Sequence, residues 1–183
     1  MGKEIERKFL LAKEASIPIP EDFDRFRIKQ GYISVEKDKQ VRIRLIKDGA
    51  GAKTIHSRGS VVKLAANEDA RVCIKYTGKL VRDEFEFDVD LTEGKALYKK
   101  CEWFVEKDRL SFDSHHMPEV HYDVDSFPNG MKWVEVEFPS IKVMKAWEKN
   151  LPHWLGKEIT GVRKYSNIAL AKKQLKFNGK RNS

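Results

Sequence analysis

In the first ten residues, MGKEIERKFL (residues 1–10), charged side chains at every second position alternate with other residues, and this spacing recurs along the chain. Successive side chains of a β-strand point to opposite faces, so the spacing places Glu4, Glu6 and Lys8 on one face of a strand. Two neighbouring carboxylates and a cation suit a divalent metal beside a phosphate, because hard cations prefer oxygen ligands and phosphate needs a positive partner. An edge strand with one solvated face has the same pattern, so the motif alone leaves both interpretations open.

The same spacing recurs in later segments that we predict to be strands. Charged residues two apart share a face at Arg42 and Arg44, at Arg82, Glu84 and Glu86, at Lys107 and Arg109, and at Glu135 and Glu137, while Lys75 stands on a further strand. Apolar residues occupy the opposite faces, as in Val134, Val136 and Phe138. The dipeptide Asn129-Gly130 between two such segments is a strong signal for a hairpin turn.

About eight strands and three helices are predicted along the chain. The strands are the first segment and residues 26–35, 41–45, 72–76, 80–89, 104–112, 121–127 and 131–138, with an extended hairpin within 48–70. The helices begin at Thr92 as N-cap, run from Ser140 as N-cap to Asn150, and cover 165–175. Strands in hairpin order followed by few helices predict an α+β fold with a large antiparallel sheet.

The charged faces of these strands allow two arrangements. The set holds seven cations and six glutamates, namely Lys8, Arg42, Arg44, Lys75, Arg82, Lys107 and Arg109 against Glu4, Glu6, Glu84, Glu86, Glu135 and Glu137. A solvated sheet would leave these charges in water. A closed barrel of eight strands has an interior just wide enough for side chains or one small ligand, and there the charges would pair and be completed by a polyanion with its metal. The residues alone favour neither arrangement.

Length and composition fit one globular domain. At 183 residues the chain can bury a substantial core, and its longest apolar runs are too short to cross a bilayer. Charges within the first eight residues interrupt any signal-peptide core. Cys73 and Cys101 lack CxxC spacing, so we expect reduced thiols in a cytoplasmic protein with no membrane partner.

The net charge of +8 is concentrated at the end of the sequence. Five excess cations, Lys172, Lys173, Lys176, Lys180 and Arg181, stand in residues 172–183 without an acid. A short basic tail is usually solvated, so we do not expect nucleic acid as a partner. We therefore divide the chain into one domain over 1–172 and a basic tail over 173–183.

Nine segments in order resemble the CYTH domain, the triphosphate tunnel metalloenzyme family, with bacterial inorganic triphosphatases the most similar. They are ExExK, QGY, VRIR, IKYTG, RDEFEF, EKDR, DVDSF, VEVEF and EITGVRKYSN, between about Gly2 and Lys172. The resemblance implies an eight-stranded antiparallel β-barrel, or tunnel, flanked by helices. It also implies hydrolysis of a phosphoanhydride bond of inorganic triphosphate or a nucleoside triphosphate, with Mg²⁺ or Mn²⁺.

The resemblance also implies roles for individual residues. Metal ligands would be Glu4, Glu6, Glu135 and Glu137, with Glu84, Glu86 and Asp125 completing the acidic set. Phosphates would be bound by Lys8, Arg42, Arg44, Lys75, Arg82, Lys107, Arg109 and Lys164. Lys107 would steer the attacking water, and Glu6 and Lys8 would share in catalysis. Lys164 stands where the family often has arginine, which keeps the charge but not the planar fork.

Several alternatives stay open at this stage. An adenylate cyclase would use the same tunnel but needs a base-binding mouth, and a thiamine triphosphatase would want an aromatic residue there. A non-catalytic binder of polyphosphate or RNA ends would have no use for six inward glutamates. A homodimer is also compatible with the sequence, and the segment between Lys47 and Arg71 is longer than in compact relatives.

Overall fold

The computed structural model describes residues 2–13, 15–49, 54–57, 60–63, 67–78 and 80–178, in which eleven strands and three α-helices are found. The strands are β1 (Gly2–Leu11), β2 (Asp24–Val35), β3 (Lys39–Asp48), β4 (Thr54–Ser57), β5 (Ser60–Lys63), β6 (Glu68–Tyr76), β7 (Val81–Val89), β8 (Trp103–Asp113), β9 (His121–Ser126), β10 (Lys132–Glu137) and β11 (Leu155–Glu158). The helices are α1 (Leu91–Tyr98), α2 (Ile141–Trp147) and α3 (Asn167–Asn178).

Eight of the strands close into a barrel in which every neighbouring pair is antiparallel. Their order is β1, β10, β9, β8, β2, β3, β6 and β7, and β7 returns to pair with β1. Strand β1 closes the ring because Glu4 pairs with Arg82 of β7 and Glu6 with Glu137 of β10. The predicted eight-stranded antiparallel tunnel is therefore confirmed. Strands β4 and β5 form a separate hairpin, and β11 adds to β1 outside the ring.

Apolar residues on the outer faces of the strands form cores with the helices. Ile5 and Phe9 of β1 pack in one cluster with Met144 and Trp147 of α2. A second cluster, around Ile43, lies where α1 contacts β3 and β6. Because the outer faces carry the apolar residues, strand alternation turns the charged faces toward the lumen.

The third helix closes off part of one end of the barrel. Leu170 and Ala171 of α3 pack with Tyr32 of β2 and Val105 of β8, and Ile168 packs against the same cluster as Val35. We call this end, where β2 stops at Val35, the upper end. The lower end is the opposite one, where β3 ends at Asp48.

Local details differ from the predicted elements in three places. Helix α1 is capped by Asp90, whose carboxylate accepts bonds from the backbone of Thr92 and Glu93, so the prediction of Thr92 as cap is wrong. The last helix begins at Asn167, after a 3₁₀ turn. Strand β11 was not predicted, because its four residues lack an alternating pattern.

Two predictions concern parts of the chain outside the barrel. Helix α3 continues to Asn178, so the predicted tail over 173–183 begins inside a helix, and residues 179–183 lie outside the described part of the chain. Among the described residues, no helix has the length and apolar character needed to span a membrane.

Candidate active site

The inward faces of the eight strands surround a cavity of about 990 Å³. Most of the predicted site residues line it, namely the cations Lys8, Arg42, Arg44, Lys75, Arg82 and Arg109 and the acids Glu4, Glu6, Glu84, Glu86, Glu135 and Glu137. The charges therefore face the lumen and not open solvent. These twelve residues stand on six different strands, and they meet in the lumen because the barrel closes.

Three of the lining carboxylates form a cluster. Oxygen atoms of Glu4, Glu6 and Glu137 all lie within 4.8 Å of one another. Burial, followed by the neighbouring carboxylates Asp123 and Glu4, raises the pKa of Glu137 to about 7. Burial is also the largest cause that raises the pKa of Glu6, with Glu135 next. Glu4 and Glu6 are also paired with Arg82, whereas Glu137 has no ion pair within the described residues. The hard oxygen atoms of the three carboxylates suit a divalent cation.

A fourth acid, Glu135, is instead compensated by cations. Its carboxylate lies 2.6 Å from Lys8 Nζ and accepts a bond of 2.7 Å from Arg109 Nη2. Burial is the largest influence and would raise the pKa of Glu135, but Lys8, Lys107 and Arg109 together hold it well below its usual value. Glu135 therefore fixes cations in place.

Acids on β7 are likewise paired with cations on neighbouring strands. Glu84 accepts a bond of 2.8 Å from Arg42 and lies 3.1 Å from Lys75, and Glu86 lies 2.6 Å from Arg44. Although burial works in the opposite direction, Lys75 and Arg42 help to lower the pKa of Glu84. The Cys73 thiol also donates to Glu84, at 2.7 Å. These contacts hold the arginines at the lumen wall.

Asp125 lies at the centre of a buried network behind the lumen wall. Its carboxylate, 0% exposed, accepts bonds from Lys107 Nζ at 2.5 Å, from Arg109 Nε at 2.7 Å and from Trp133 Nε1 at 3.2 Å. Burial, followed by the charge of Arg109, lowers the pKa of Lys107 to about 8. Neither Asp125 nor Lys107 lines the cavity, and Asp125 is not in the carboxylate cluster.

One buried donor in the lumen wall has no acceptor. Arg42 is 3% exposed, and among the described residues nothing accepts a hydrogen bond from its Nε atom. A buried donor without a partner costs about 1–3 kcal/mol, and a bound water, ion or ligand can satisfy it. A phosphate oxygen is a chemically suitable acceptor, since arginine binds phosphate through two parallel N–H groups.

At the upper end the cavity is lined by Arg163 and not by Lys164. Lys164 is exposed, and its Nζ lies 4.8 Å from the centre of the Tyr165 ring. Lys164 was predicted from its position in a family motif. In the structure, the 3₁₀ turn over 163–165 places Arg163 instead at the cavity.

Two further lumen residues, His121 and Asp123, were not predicted. His121 Nδ1 lies 2.7 Å from Asp113 Oδ1 and its Nε2 lies 3.4 Å from Asp123 Oδ1, while Asp123 also pairs with Arg109. These residues link the lower end of the lumen to the Asp125 network. The signal was present in the sequence, because His121, Asp123 and Asp125 stand two apart and continue an inward row.

The charge of His121 predicts a pH-dependent contribution to stability. Its hydrogen bond to Asp123, the largest cause, raises the pKa of His121 to about 9. Since the folded pKa lies above the unfolded value, this stabilisation is complete below about pH 6.5 and is lost as the pH rises through 9. The side chain is 38% exposed, so we expect about 1 kcal/mol.

Urea unfolding of metal-free wild type and His121→Asn measures this contribution. The two proteins should differ by about 1 kcal/mol at pH 6 and converge above pH 9. His153→Asn, at an exposed histidine, is the matched control and should show no such trend. A difference between wild type and His121→Asn that stays constant with pH would contradict the assignment.

The chain is similar in sequence to two curated inorganic triphosphatases. No protein-family model matches the chain. It is 28% identical over 181 residues to an inorganic triphosphatase of Acetivibrio thermocellus, covering 96% of this chain and 97% of the relative. It is 30% identical over 173 residues to an inorganic triphosphatase of Nitrosomonas europaea, covering 92% and 96% of the two chains.

Solved structures show the same fold. The inorganic triphosphatase NE1496 superposes with a TM-score of 0.54 at 27% identity, over 93% of this chain and 95% of that chain. The PH1819 protein of Pyrococcus horikoshii OT3 superposes with a TM-score of 0.60 at 16% identity, over 92% and 99%, which supports the fold alone.

A closed antiparallel barrel with acids and cations on its inner wall defines the class of triphosphate tunnel proteins, also called CYTH domains. Within that class, the chain belongs to the family of the bacterial inorganic triphosphatases.

Proposed function

We propose that the protein is a metal-dependent hydrolase that cleaves inorganic triphosphate to pyrophosphate and phosphate inside the lumen. The observation that carries this proposal is one cavity lined by both a carboxylate cluster and a surrounding wall of cations. A linear polyphosphate with a divalent metal requires both kinds of group. The relatives named as inorganic triphosphatases support the same substrate.

Glu4, Glu6 and Glu137 would hold the metal, Mg²⁺ or Mn²⁺. The close approach of their oxygen atoms and the raised pKa of Glu137 both suit the binding of a divalent cation. When bound, such an ion supplies Lewis-acid polarisation of a phosphoryl oxygen. Glu84, Glu86, Glu135 and Asp125 complete the predicted acidic set, and their ion pairs favour a role in positioning the phosphate-binding cations.

Cations of the lumen would bind the phosphates and neutralise the charge that develops on the leaving group. Phosphoryl transfer requires mainly positioning and charge stabilisation from a protein. Water oxygen attacks the terminal phosphorus, the bond to the bridging oxygen breaks, and its electron pair leaves with pyrophosphate. Arg42, with its free Nε, and Lys8, whose Nζ lies 2.6 Å from Glu135, are placed to bind phosphate oxygens.

Lys107 is our candidate for orienting the attacking water. Its lowered pKa, about 8, makes a neutral amine accessible near that pH, and a neutral amine accepts a hydrogen bond from water. In the structure Lys107 Nζ is bonded to Asp125. Because this bond lies behind the lumen wall, the action of Lys107 on water requires its amine to turn from Asp125 toward the lumen.

Phosphate release from three substrates tests the proposal. We expect the highest kcat/KM with inorganic triphosphate in the presence of Mg²⁺ or Mn²⁺, lower values with ATP and thiamine triphosphate, and no turnover with EDTA. Preference for ATP with cyclic AMP as product would identify a cyclase instead. Binding of triphosphate without turnover would identify a non-catalytic polyphosphate binder.

One observation favours organic triphosphates as a second class of substrate. Phe26, Ile28 and Ile46 give the lower end of the cavity an apolar wall that inorganic triphosphate does not use. A nucleoside or thiamine group on the terminal phosphate would contact this wall. Phe26→Ala should then lower kcat/KM for ATP and thiamine triphosphate while leaving that for inorganic triphosphate unchanged.

Predictions about the cellular setting extend the proposal. The free thiols of Cys73 and Cys101 support our expectation of a cytoplasmic protein. A homodimer and a separate basic tail over 173–183 remain predictions. Sedimentation of the purified protein and of a variant shortened to residue 172 tests both.

A further inference from the structure

The upper end of the lumen carries exposed cations that the sequence analysis did not assign to the site. Lys37, Arg163 and Lys172 all line the cavity there, and all three are exposed. Within the described residues none of them forms an ion pair. Glu36, an acid at this end, already faces Lys39 at 3.3 Å. We call Lys37, Arg163 and Lys172 the basic opening.

The lower end of the lumen has the opposite electrostatic character. Asp48 and Asp69 line the cavity there. Of the cationic residues at this end, Arg71 and His121 each lie within 3 Å of a carboxylate outside the carboxylate cluster, whereas Lys3 lines the cavity without an ion pair among the described residues. A polyanion is therefore attracted more strongly at the upper end, where three cations are unpaired in the described part of the chain, than at the lower end, where Asp48 and Asp69 oppose it.

Cations inside the barrel continue from the basic opening. Arg82 and Lys75 line the cavity on the strands whose ends face this opening, since β6 ends at Tyr76 and β7 begins at Val81. The segment that carries Arg163 also contacts β1 beside Lys8, because the Lys8 N–H donates to Thr160 Oγ1 at 3.0 Å. The lumen cations thus begin at the end of the barrel that carries the basic opening, where Arg82 and Lys75 are paired with Glu4.

We propose that the polyphosphate anion enters the tunnel through the basic opening, and that Lys37, Arg163 and Lys172 capture it from solution. The identity of the anion rests on the proposed function. Clefts lined by one sign of charge raise association rates by about 10- to 1,000-fold, and the effect weakens with ionic strength. The capture residues act on association and not on the chemical step.

A charge-reversed double variant, Lys37→Glu with Arg163→Glu, tests the proposal. Its matched control is Lys142→Glu with Lys145→Glu, which changes the net charge equally at exposed positions of α2 that do not line the cavity. At about 20 mM ionic strength we expect kcat/KM for triphosphate to fall at least about tenfold in the first variant and less than about twofold in the control. The value of kcat should not change.

Measurements at low and high ionic strength distinguish capture of the anion from solution from direct contact with the bound substrate. At about 0.5 M salt the Debye length is about 4 Å, so the two variants should have similar kcat/KM values. Equal kcat/KM values at low salt, a loss that persists at high salt, or a fall in kcat would each overturn the proposal. Lys37→Gln with Arg163→Gln should show a smaller loss in the same direction, and it replaces the glutamate variant if that protein does not fold.

Stopped-flow fluorescence distinguishes failure of this inference from failure of the proposed function. The centre of the Trp133 ring lies 4.7 Å from Lys8 Nζ. The fluorescence of Trp133 should therefore change when triphosphate binds at Lys8, whether or not it is hydrolysed. Salt-dependent association that slows in the charge-reversed variant, with no hydrolysis by wild type, would reject the hydrolase and keep the entrance. Hydrolysis by wild type, with association equally fast in the charge-reversed variant and in its control, would keep the hydrolase and reject the entrance.

Discussion

The Glu137→Gln variant is expected to lose metal-dependent hydrolysis while its metal-free form becomes more stable than wild type at pH 8. Burial, then Asp123 and Glu4, raises the pKa of Glu137 to about 7 in the folded protein. The folded state therefore binds this proton more tightly than the unfolded state does. The stability of the metal-free protein falls as the pH rises from about 4.5 through 7. An uncharged glutamine removes that cost, about 1–3 kcal/mol at pH 8.

The same substitution removes one of the three ligands proposed for the metal. Loss of a preorganised electrostatic group at a reaction centre commonly lowers kcat by about 100- to 1,000-fold, and we expect a loss of at least that size. Glu6→Gln, in the same cluster, should reduce activity similarly. The measurements are urea unfolding with EDTA at pH 5 and pH 8, phosphate release, and calorimetric titration with Mn²⁺.

Glu119→Gln serves as the control because Glu119 is exposed and does not line the cavity. It should leave activity, Mn²⁺ affinity and stability within experimental error of wild type. Full activity in Glu137→Gln would show that the metal lies elsewhere. A metal-free Glu137→Gln protein less stable than wild type at pH 8 would show that the ionised Glu137 carboxylate does not destabilise the fold.

The second large effect is expected for Asp125→Asn, which should lower the free energy of unfolding by about 3–5 kcal/mol. Removing one partner of a buried ion pair leaves the remaining charge without compensation. Asp125 is the acid bonded to Lys107, which is 3% exposed, and it also accepts two bonds from Arg109. Arg109 keeps Asp123 and Glu135 as partners, so Lys107 should account for most of the loss.

The exposed pair formed by Arg27 and Asp108 provides a matched comparison. Asp108→Asn breaks an ion pair of 3.0 Å whose side chains are more than half exposed, and such pairs contribute at most about 1 kcal/mol. Urea unfolding of both variants measures the contrast. Lys107→Met combined with Asp125→Asn should recover part of the stability, and a loss for Asp125→Asn no larger than that for Asp108→Asn would contradict the buried network.

The positions of the strands, and the residues on their inward faces, could be predicted from the local alternation of side chains in the sequence. A strand alternates its faces every second residue, so a row such as Glu4, Glu6 and Lys8 carries its orientation in its own spacing. The Asn129-Gly130 turn was equally local, since Gly130 adopts φ +81°, a conformation that glycine reaches without strain. The row from His121 to Asp125 had the same spacing, so its inward face was predictable by the same rule.

Alternating spacing is enough to predict strands with acids and cations on common faces, and the motifs indicate the closed tunnel. Which acids meet depends on the tertiary structure, because the pairing of Glu6 with Glu137 joins residues 131 positions apart. That register brings Glu137 next to Glu4 and Glu6, which are paired with Arg82, whereas Glu84, Glu135 and Asp125 are paired with other cations. Local spacing fixes the face of a strand, whereas the register between distant strands fixes the partners of each charge.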